Sequence, residues 1–169
     1  MPSDRDYSAK RAATLTGNTT AAQLFQTALT PAKDVQLFVP AGAKLFRIRA
    51  GGTATGGTTT NFTPTLYWGD ATTTTLAALS ATAYNSASGG WYAQATVAYD
   101  SVNSKLHGYT EGFIGTTPTV AANTIITDLS SITSVDGQPI AIGATFSAAN
   151  AGNTATLDFF SLEVLEEKA

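Results

Sequence analysis

The chain has 169 residues, which on the usual prior of roughly 100–200 residues per domain favours one domain. Charged residues make up only 12% and the net charge is −3, so nine scattered Lys and Arg offer no basic face to a phosphate backbone, and a nucleic-acid partner is not expected. No apolar run approaches the ~20 residues of a membrane span, Met1-Pro2-Ser3-Asp4-Arg5-Asp6 leads into polar residues rather than a Sec-type apolar region, and the absence of cysteine excludes disulfides, thiolate nucleophiles and Cys-based zinc sites.

Threonine and alanine contribute 29 residues each and glycine 15, so the core is lean in large side chains and the surface neutral and rich in hydroxyls. Residues 1–13 read as an N-terminal arm. It carries Asp4, Arg5, Asp6, Lys10 and Arg11 without a periodic apolar pattern. Beyond it, short β-rich runs alternate with turn clusters at the spacing of a sandwich or barrel, about eight or nine strands in all.

Thr20-Ala21-Ala22-Gln23 has capping-box spacing, but its threonine-rich setting favours a strand. Val35 to Val39 forms a strand, and Pro40-Ala41-Gly42 turns the chain into Lys44 to Ala50. There Phe46 and Ile48 share one face while Arg47 and Arg49 share the other, the mark of a half-buried strand. Gly51 to Thr60 reads as a flexible loop. In Phe62 to Trp68 the alternation groups Phe62, Leu66 and Trp68, and Pro64 marks an edge position or a bulge because proline cannot donate to the ladder. Asp70 to Leu79 stays open between loop and short helix: Leu76 and Leu79 have helical spacing, but four consecutive threonines resist a helix.

A hairpin follows, from Gly90 to Tyr99, through a turn at Asp100 to Ser104, and back along Lys105 to Ile114, with Trp91, Val97 and Tyr99 on one face. Ile125 and Ile126 open another strand, and Asp136-Gly137 is a strong turn signal. Ile140, Ile142, Ala144 and Phe146 alternate, a turn spans Ala148 to Asn153, and Thr154 to Leu165 completes the set. In this last run Phe160, Leu162 and Val164 face inward and Phe159, Ser161 and Glu163 outward. The outward parity of Arg47, Arg49 and Glu163 predicts cross-strand ion pairs worth about 0–1 kcal/mol each.

Catalytic chemistry finds little support. The single histidine, His107, shares its parity with Tyr109 and Glu111 and reads as a solvated sheet-face residue, since a triad needs nucleophile, base and orienter to converge. The twelve carboxylates are scattered, with no spacing that marks a glycosidase pair. Gly51, Gly52, Gly56 and Gly57 lack the lysine and helix of a phosphate loop, and Thr63-Pro64-Thr65 lacks the regular repeat of an ice-binding face. No cofactor or metal site is read. Aromatic residues remain: Tyr67, Trp68, Tyr84, Trp91, Tyr92 and Tyr99. The tryptophans read as core. Tyr67 and Tyr92, of opposite parity to Trp68 and Trp91, are free to stack on a sugar or pack on a neighbouring subunit.

Several pieces carry a family likeness: Thr16-Gly17-Asn18-Thr19-Thr20, Leu24-Phe25, Ala41-Gly42-Ala43-Lys44-Leu45-Phe46-Arg47-Ile48, Pro64-Thr65-Leu66-Tyr67-Trp68-Gly69, Trp91-Tyr92-Ala93-Gln94-Ala95, and Asn153-Thr154-Ala155-Thr156-Leu157-Asp158-Phe159-Phe160-Ser161-Leu162-Glu163-Val164. In this order, over residues 14 to 165, they resemble the jelly-roll structural proteins of tailed-phage virions, especially head-decoration (cement) proteins. They are patterns of strand and turn residues with no catalytic signature, and related jelly rolls also occur in phage tail and fibre proteins.

The resemblance implies an all-β, antiparallel two-sheet jelly-roll sandwich at residues 14–169 with an extended N-terminal arm. It implies a non-enzymatic oligomer, commonly a homotrimer, made in the host cytoplasm and seated on the outside of a capsid. There it would stabilise the shell through many weak, repeated contacts with the major capsid protein and its own copies. Arg5, Tyr7, Lys10 and Arg11 of the arm would then be partner contacts, joined by Tyr67 and Tyr92. The alternative on the same fold is a carbohydrate- or receptor-binding module of a phage tail or fibre, with Tyr67, Tyr84 or Tyr92 as stacking residues. A hydrolase is the third reading, and the lone histidine argues against it.

Overall fold

A computed structural model describes residues 7–8, 13–17, 19–27, 33–57, 60–78, 82–83, 88–115, 120–125 and 129–167. Its strands are β1 (Tyr7–Ser8), β2 (Ala13–Thr16), β3 (Gln23–Leu24), β4 (Gln26–Thr27), β5 (Gln36–Phe38), β6 (Ala43–Thr55), β7 (Asn61–Trp68), β8 (Thr75–Ala78), β9 (Thr82–Ala83), β10 (Ser88–Asp100), β11 (Lys105–Gly115), β12 (Val120–Ile125), β13 (Pro139–Phe146), β14 (Thr154–Leu157) and β15 (Phe159–Glu167). Every strand pairing is antiparallel, and the strands form two sheets, so the expected antiparallel two-sheet sandwich of jelly-roll type is the fold.

The larger sheet runs β12-β11-β10-β6, and β6 then borders β15 along Ala43 to Gly51 and β14 at Ala54 and Thr55. β2 and β4 extend the β14 side, and β1 extends the β15 side, with Tyr7 opposite Leu162 and Ser8 opposite Ser161. In the smaller sheet β13 lies beside β7, with β3 and β5 along its outer edge and β8 and β9 along the far edge of β7. Two short strands laid end to end along one long strand explain why more segments form than the eight or nine expected.

Alternation decides which residues enter the core. Phe46, Ile48 and Ala50 of β6, Trp91, Ala93, Ala95 and Val97 of β10, and Phe160 and Leu162 of β15 are buried on one side of the larger sheet. From the smaller sheet Phe62 and Leu66 of β7 and Ile140, Ile142, Ala144 and Phe146 of β13 meet them. Trp91 is the hub. Its ring lies 5.7 Å from Phe25 and 5.9 Å from Phe62, Phe62 lies 5.3 Å from Phe146, and the indole Nε1 donates to the Thr156 carbonyl at 3.1 Å. Each such side chain removed from water contributes about 1.5–3 kcal/mol.

One end of the sandwich is closed by backbone contacts around Asn153, which is fully buried. Its Oδ1 accepts from Gly57 N at 2.8 Å, its Nδ2 donates to the Ala148 carbonyl at 2.7 Å, and its own carbonyl accepts from Gly17 N at 2.7 Å. A Cβ on Gly17 would stand 2.3 Å from Asn153 Cβ, so this close approach requires glycine.

Three readings of the sequence are corrected. Gly51 to Thr55 is not loop but the second half of β6: a Cβ on Gly52 would stand 2.0 Å from the Thr156 carbonyl oxygen, and the bare backbone lets the β14–β15 segment pass close by. Asp70 to Ala78 holds no helix. Residues 70–74, which hold three of the four threonines, form a turn as the loop alternative has it, and β8 follows from Thr75 beside β7. Ile125 ends β12 rather than opening a strand, and Ile126 and Leu79 lie outside the described residues. Pro64 sits in β7 between the stretches paired to β8 and β9, so its missing N–H interrupts neither.

Candidate functional site

The residues left over by the core define the outer face of the larger sheet. Strand register arranges them in rows across β11, β10, β6 and β15. One row is Phe113, Tyr92, Gly51 and Phe159; the next is Glu111, Gln94, Arg49 and Ser161; a third is Tyr109, Thr96, Arg47 and Glu163.

The first row is aromatic. The rings of Tyr92 and Phe113 stack at 5.9 Å, and those of Tyr92 and Phe159 lie 6.1 Å apart across β6. Gly51 makes this possible, because a Cβ there would stand 2.6 Å from the Phe159 ring. Phe159 remains 40% exposed, and Tyr92 and Phe113 are half-buried. A large apolar ring held open to water on a sheet face, with its neighbours aligned to it, is the surface feature that most calls for a partner.

The second row is polar and centred on Gln94. Its Oε1 accepts from Arg49 Nε at 3.0 Å and from the Tyr92 hydroxyl at 2.9 Å, while its Nε2 donates to Glu111 Oε1. Burial pushes the Tyr92 hydroxyl above its ordinary pKa, with the nearby Arg49 guanidinium partly opposing, so the phenol stays protonated and able to donate at neutral pH. Glu163 Oε2 lies 3.4 Å from both Arg47 Nη1 and Arg49 Nη2, the ion pairs that strand parity predicts. Arg47 Nε and Thr96 Oγ1, buried and adjacent in register, have no hydrogen-bond partner among the described residues. The face therefore sets an apolar row beside one of fixed donors and acceptors, with both charge signs present.

Of the residues singled out from sequence, Tyr92 lies in this site and Tyr67 does not. Tyr67 is only 3% exposed, so its reading as a stacking or contact residue is corrected. β7 is flanked on both sides, and Gly143 of β13 leaves room for the Tyr67 ring, to which a Cβ there would stand 3.0 Å. Burial also pushes the Tyr67 hydroxyl above its usual pKa. Arg5, Lys10, Arg11 and Tyr84 lie outside the described residues, and Tyr7 is described by its strand pairing with Leu162. His107 Nε2 lies 3.9 Å from Asp100 Oδ2 at the hairpin end. Among the described residues, no group of three His, Asp or Glu could hold a metal ion.

Phe113 and Phe159 are the members that sequence reasoning passed over. The available signal was parity: Phe113 falls on the Tyr92 face once the hairpin turn is placed, and Phe159 already reads as outward.

No family model matches the chain, and no curated protein matches its sequence. Among solved structures it is similar to arcelin-5, a lectin-like defense protein from Phaseolus vulgaris, at 9% identity and a TM-score of 0.43, covering 95% of this chain and 97% of that one. It is also similar to a Lotus tetragonolobus seed lectin, at 10% identity and a TM-score of 0.40 with 96% and 100% covered. A lectin from Bauhinia forficata in complex with GalNAc is similar at 8% identity and a TM-score of 0.39, with 95% and 98% covered.

Proposed function

We propose that this chain is a non-catalytic binding module that takes carbohydrate on the outer face of its larger sheet. The observation that carries the reading is the Phe113–Tyr92–Phe159 row set two residues along the strand from Gln94 and its network. A sugar ring has an apolar C–H face and a rim of hydroxyls, and this surface offers aromatic carbon to the first and oriented amide, guanidinium and carboxylate groups to the second. Titration with a panel of soluble oligosaccharides, followed by amide NMR, tests it. Saturable shifts at Tyr92, Phe113 and Phe159 are expected, weakened at least about 10-fold by Phe159→Ala, equivalent to about 1.4 kcal/mol. Affinity unchanged in folded Phe159→Ala and Tyr92→Ala proteins overturns it.

A second reading, a decoration protein on a tailed-phage capsid, is supported by the resemblance of the strand and turn segments and by β1, which brings the arm to the β15 edge of the larger sheet. On this reading the partners are further copies of the chain and the major capsid protein, and the arm residues Arg5, Tyr7, Lys10 and Arg11 supply contacts. Deleting residues 1–11 and measuring occupancy on expanded capsids tests it: lost occupancy supports the reading, and undiminished occupancy removes the arm from it.

A further inference from the structure

The larger and smaller sheets also approach each other along one side of the sandwich. There β2 and β4 of the larger sheet, with Asp34 beside them, face β3 and the 70–74 turn of the smaller one. Between them lies an open cleft of about 710 Å³, within the range of roughly 300–1,000 Å³ typical of ligand sites. Its lining is unlike that of most such sites. Thr16, Thr72, Gln23 and Gln26 bring hydroxyls and amides, Asp34 and Asp70 bring carboxylates, and among the described residues that line it none is aromatic or basic.

Local structure holds these groups in place. Gln26 and Asp34 form a backbone bridge, and Gln26 Nε2 donates to Asp34 Oδ1 at 3.1 Å, which orients that carboxylate and leaves its other oxygen to accept. On the opposite wall Gly69 takes φ 99°, a left-handed conformation that turns the chain out of β7 and places Asp70 at the rim. Carboxylate oxygens and amides accept and donate to adjacent hydroxyl groups of a polyol, and threonine hydroxyls do both. Two carboxylates with no cation among the described lining residues disfavour an anionic ligand by like-charge repulsion.

We infer that this cleft is a second, separate binding site for an uncharged oligosaccharide, one that discriminates against acidic sugars. It does not depend on the aromatic face, because the two share no residue.

The test uses the full chain, isotope-labelled, titrated with maltotriose, chitotriose or trigalacturonate up to about 10 mM, enough to saturate a millimolar site. Saturable amide shifts at Thr16, Gln26 and Thr72 are expected with at least one of the two uncharged trisaccharides and not with trigalacturonate. Asp34→Asn and Asp70→Asn should each weaken that response about fivefold or more, and Phe159→Ala should leave it unchanged. Shifts confined to Tyr92 and Phe159, no saturable response at the cleft with either uncharged trisaccharide, or equal binding of trigalacturonate would each overturn the inference. The first of these outcomes leaves the aromatic-face reading standing, whereas a cleft response that persists in a protein with no response at Tyr92 removes only the aromatic face.

Discussion

Two groups of aromatic residues lie on opposite sides of β10 and are held by different means. On the inner side of β10, Trp91 meets Phe25 and Phe62 and is 2% exposed; one residue along, on the outer side, Tyr92 meets Phe113 and Phe159, and Phe159 is 40% exposed. Closure by the second sheet holds the first group. The second has no covering layer among the described residues and is positioned by register alone. The inner cluster therefore supplies stability. The outer one supplies a surface.

This contrast is open to direct measurement. The largest effect is expected from Trp91→Ala, which leaves a cavity and orphans the Thr156 carbonyl; chemical denaturation should show a loss of about 3–5 kcal/mol, against less than about 1.5 kcal/mol for Phe159→Ala, whose ring is already partly in water. Equal losses would erase the distinction between the two groups. Neighbouring glycines sharpen it next. Gly52→Ala drives a Cβ against the Thr156 backbone carbonyl, which cannot swing aside, and should destabilise by about 1–3 kcal/mol. Gly51→Ala mainly meets the Phe159 ring, with the Trp91 carbonyl oxygen at 2.9 Å, so it should be milder in thermal unfolding while shifting the Phe159 ring resonances.

A smaller effect of opposite sign is expected at Thr96. Replacing its unpartnered buried hydroxyl by a methyl group in Thr96→Val removes a desolvation cost, so stability should hold or rise by up to about 1 kcal/mol; a clear loss would show that the hydroxyl is engaged. The smallest effect lies at the exposed hairpin end. Asn103 donates to Asp100 from its side-chain Nδ2 at 2.6 Å and from its backbone N at 3.1 Å, and these bonds, the side-chain one foremost, hold the Asp100 carboxyl below its ordinary pKa. A depressed carboxylate contributes stability above its unfolded pKa, about 4, and loses it as pH falls through the folded value. The protection factors of amides in the β10–β11 turn, with the intrinsic pH dependence of exchange divided out, should therefore fall on acidification through that range, and Asn103→Ala should show a shallower dependence.

Much of this architecture is local and so legible in the residues. Phe46, Ile48 and Ala50 against Arg47 and Arg49 specify two faces of β6 without reference to any other strand, and the same holds for Phe160 and Leu162 against Phe159 and Glu163. Tyr67 shows the limit: parity put it opposite Trp68, yet both faces of β7 at that point are covered, and it is Trp68 that is the less buried. The side cleft had no signal at all, since Asp70 is far in the chain from Gln26 and Asp34, those two lie eight residues apart without a pattern, and none stands in a motif.

The sequence by itself determined the β class, the turns at Gly42 and Gly137 and the alternation of faces, because a strand's side chains switch sides with a period of two whatever it pairs with. Only the tertiary structure decided that Gly51 to Thr55 is strand and that Phe113, Tyr92 and Phe159 form one row. Those outcomes depend on which strands lie side by side and in what register, which is set by burying both sheets' apolar faces at once and by backbones close enough to exclude a Cβ.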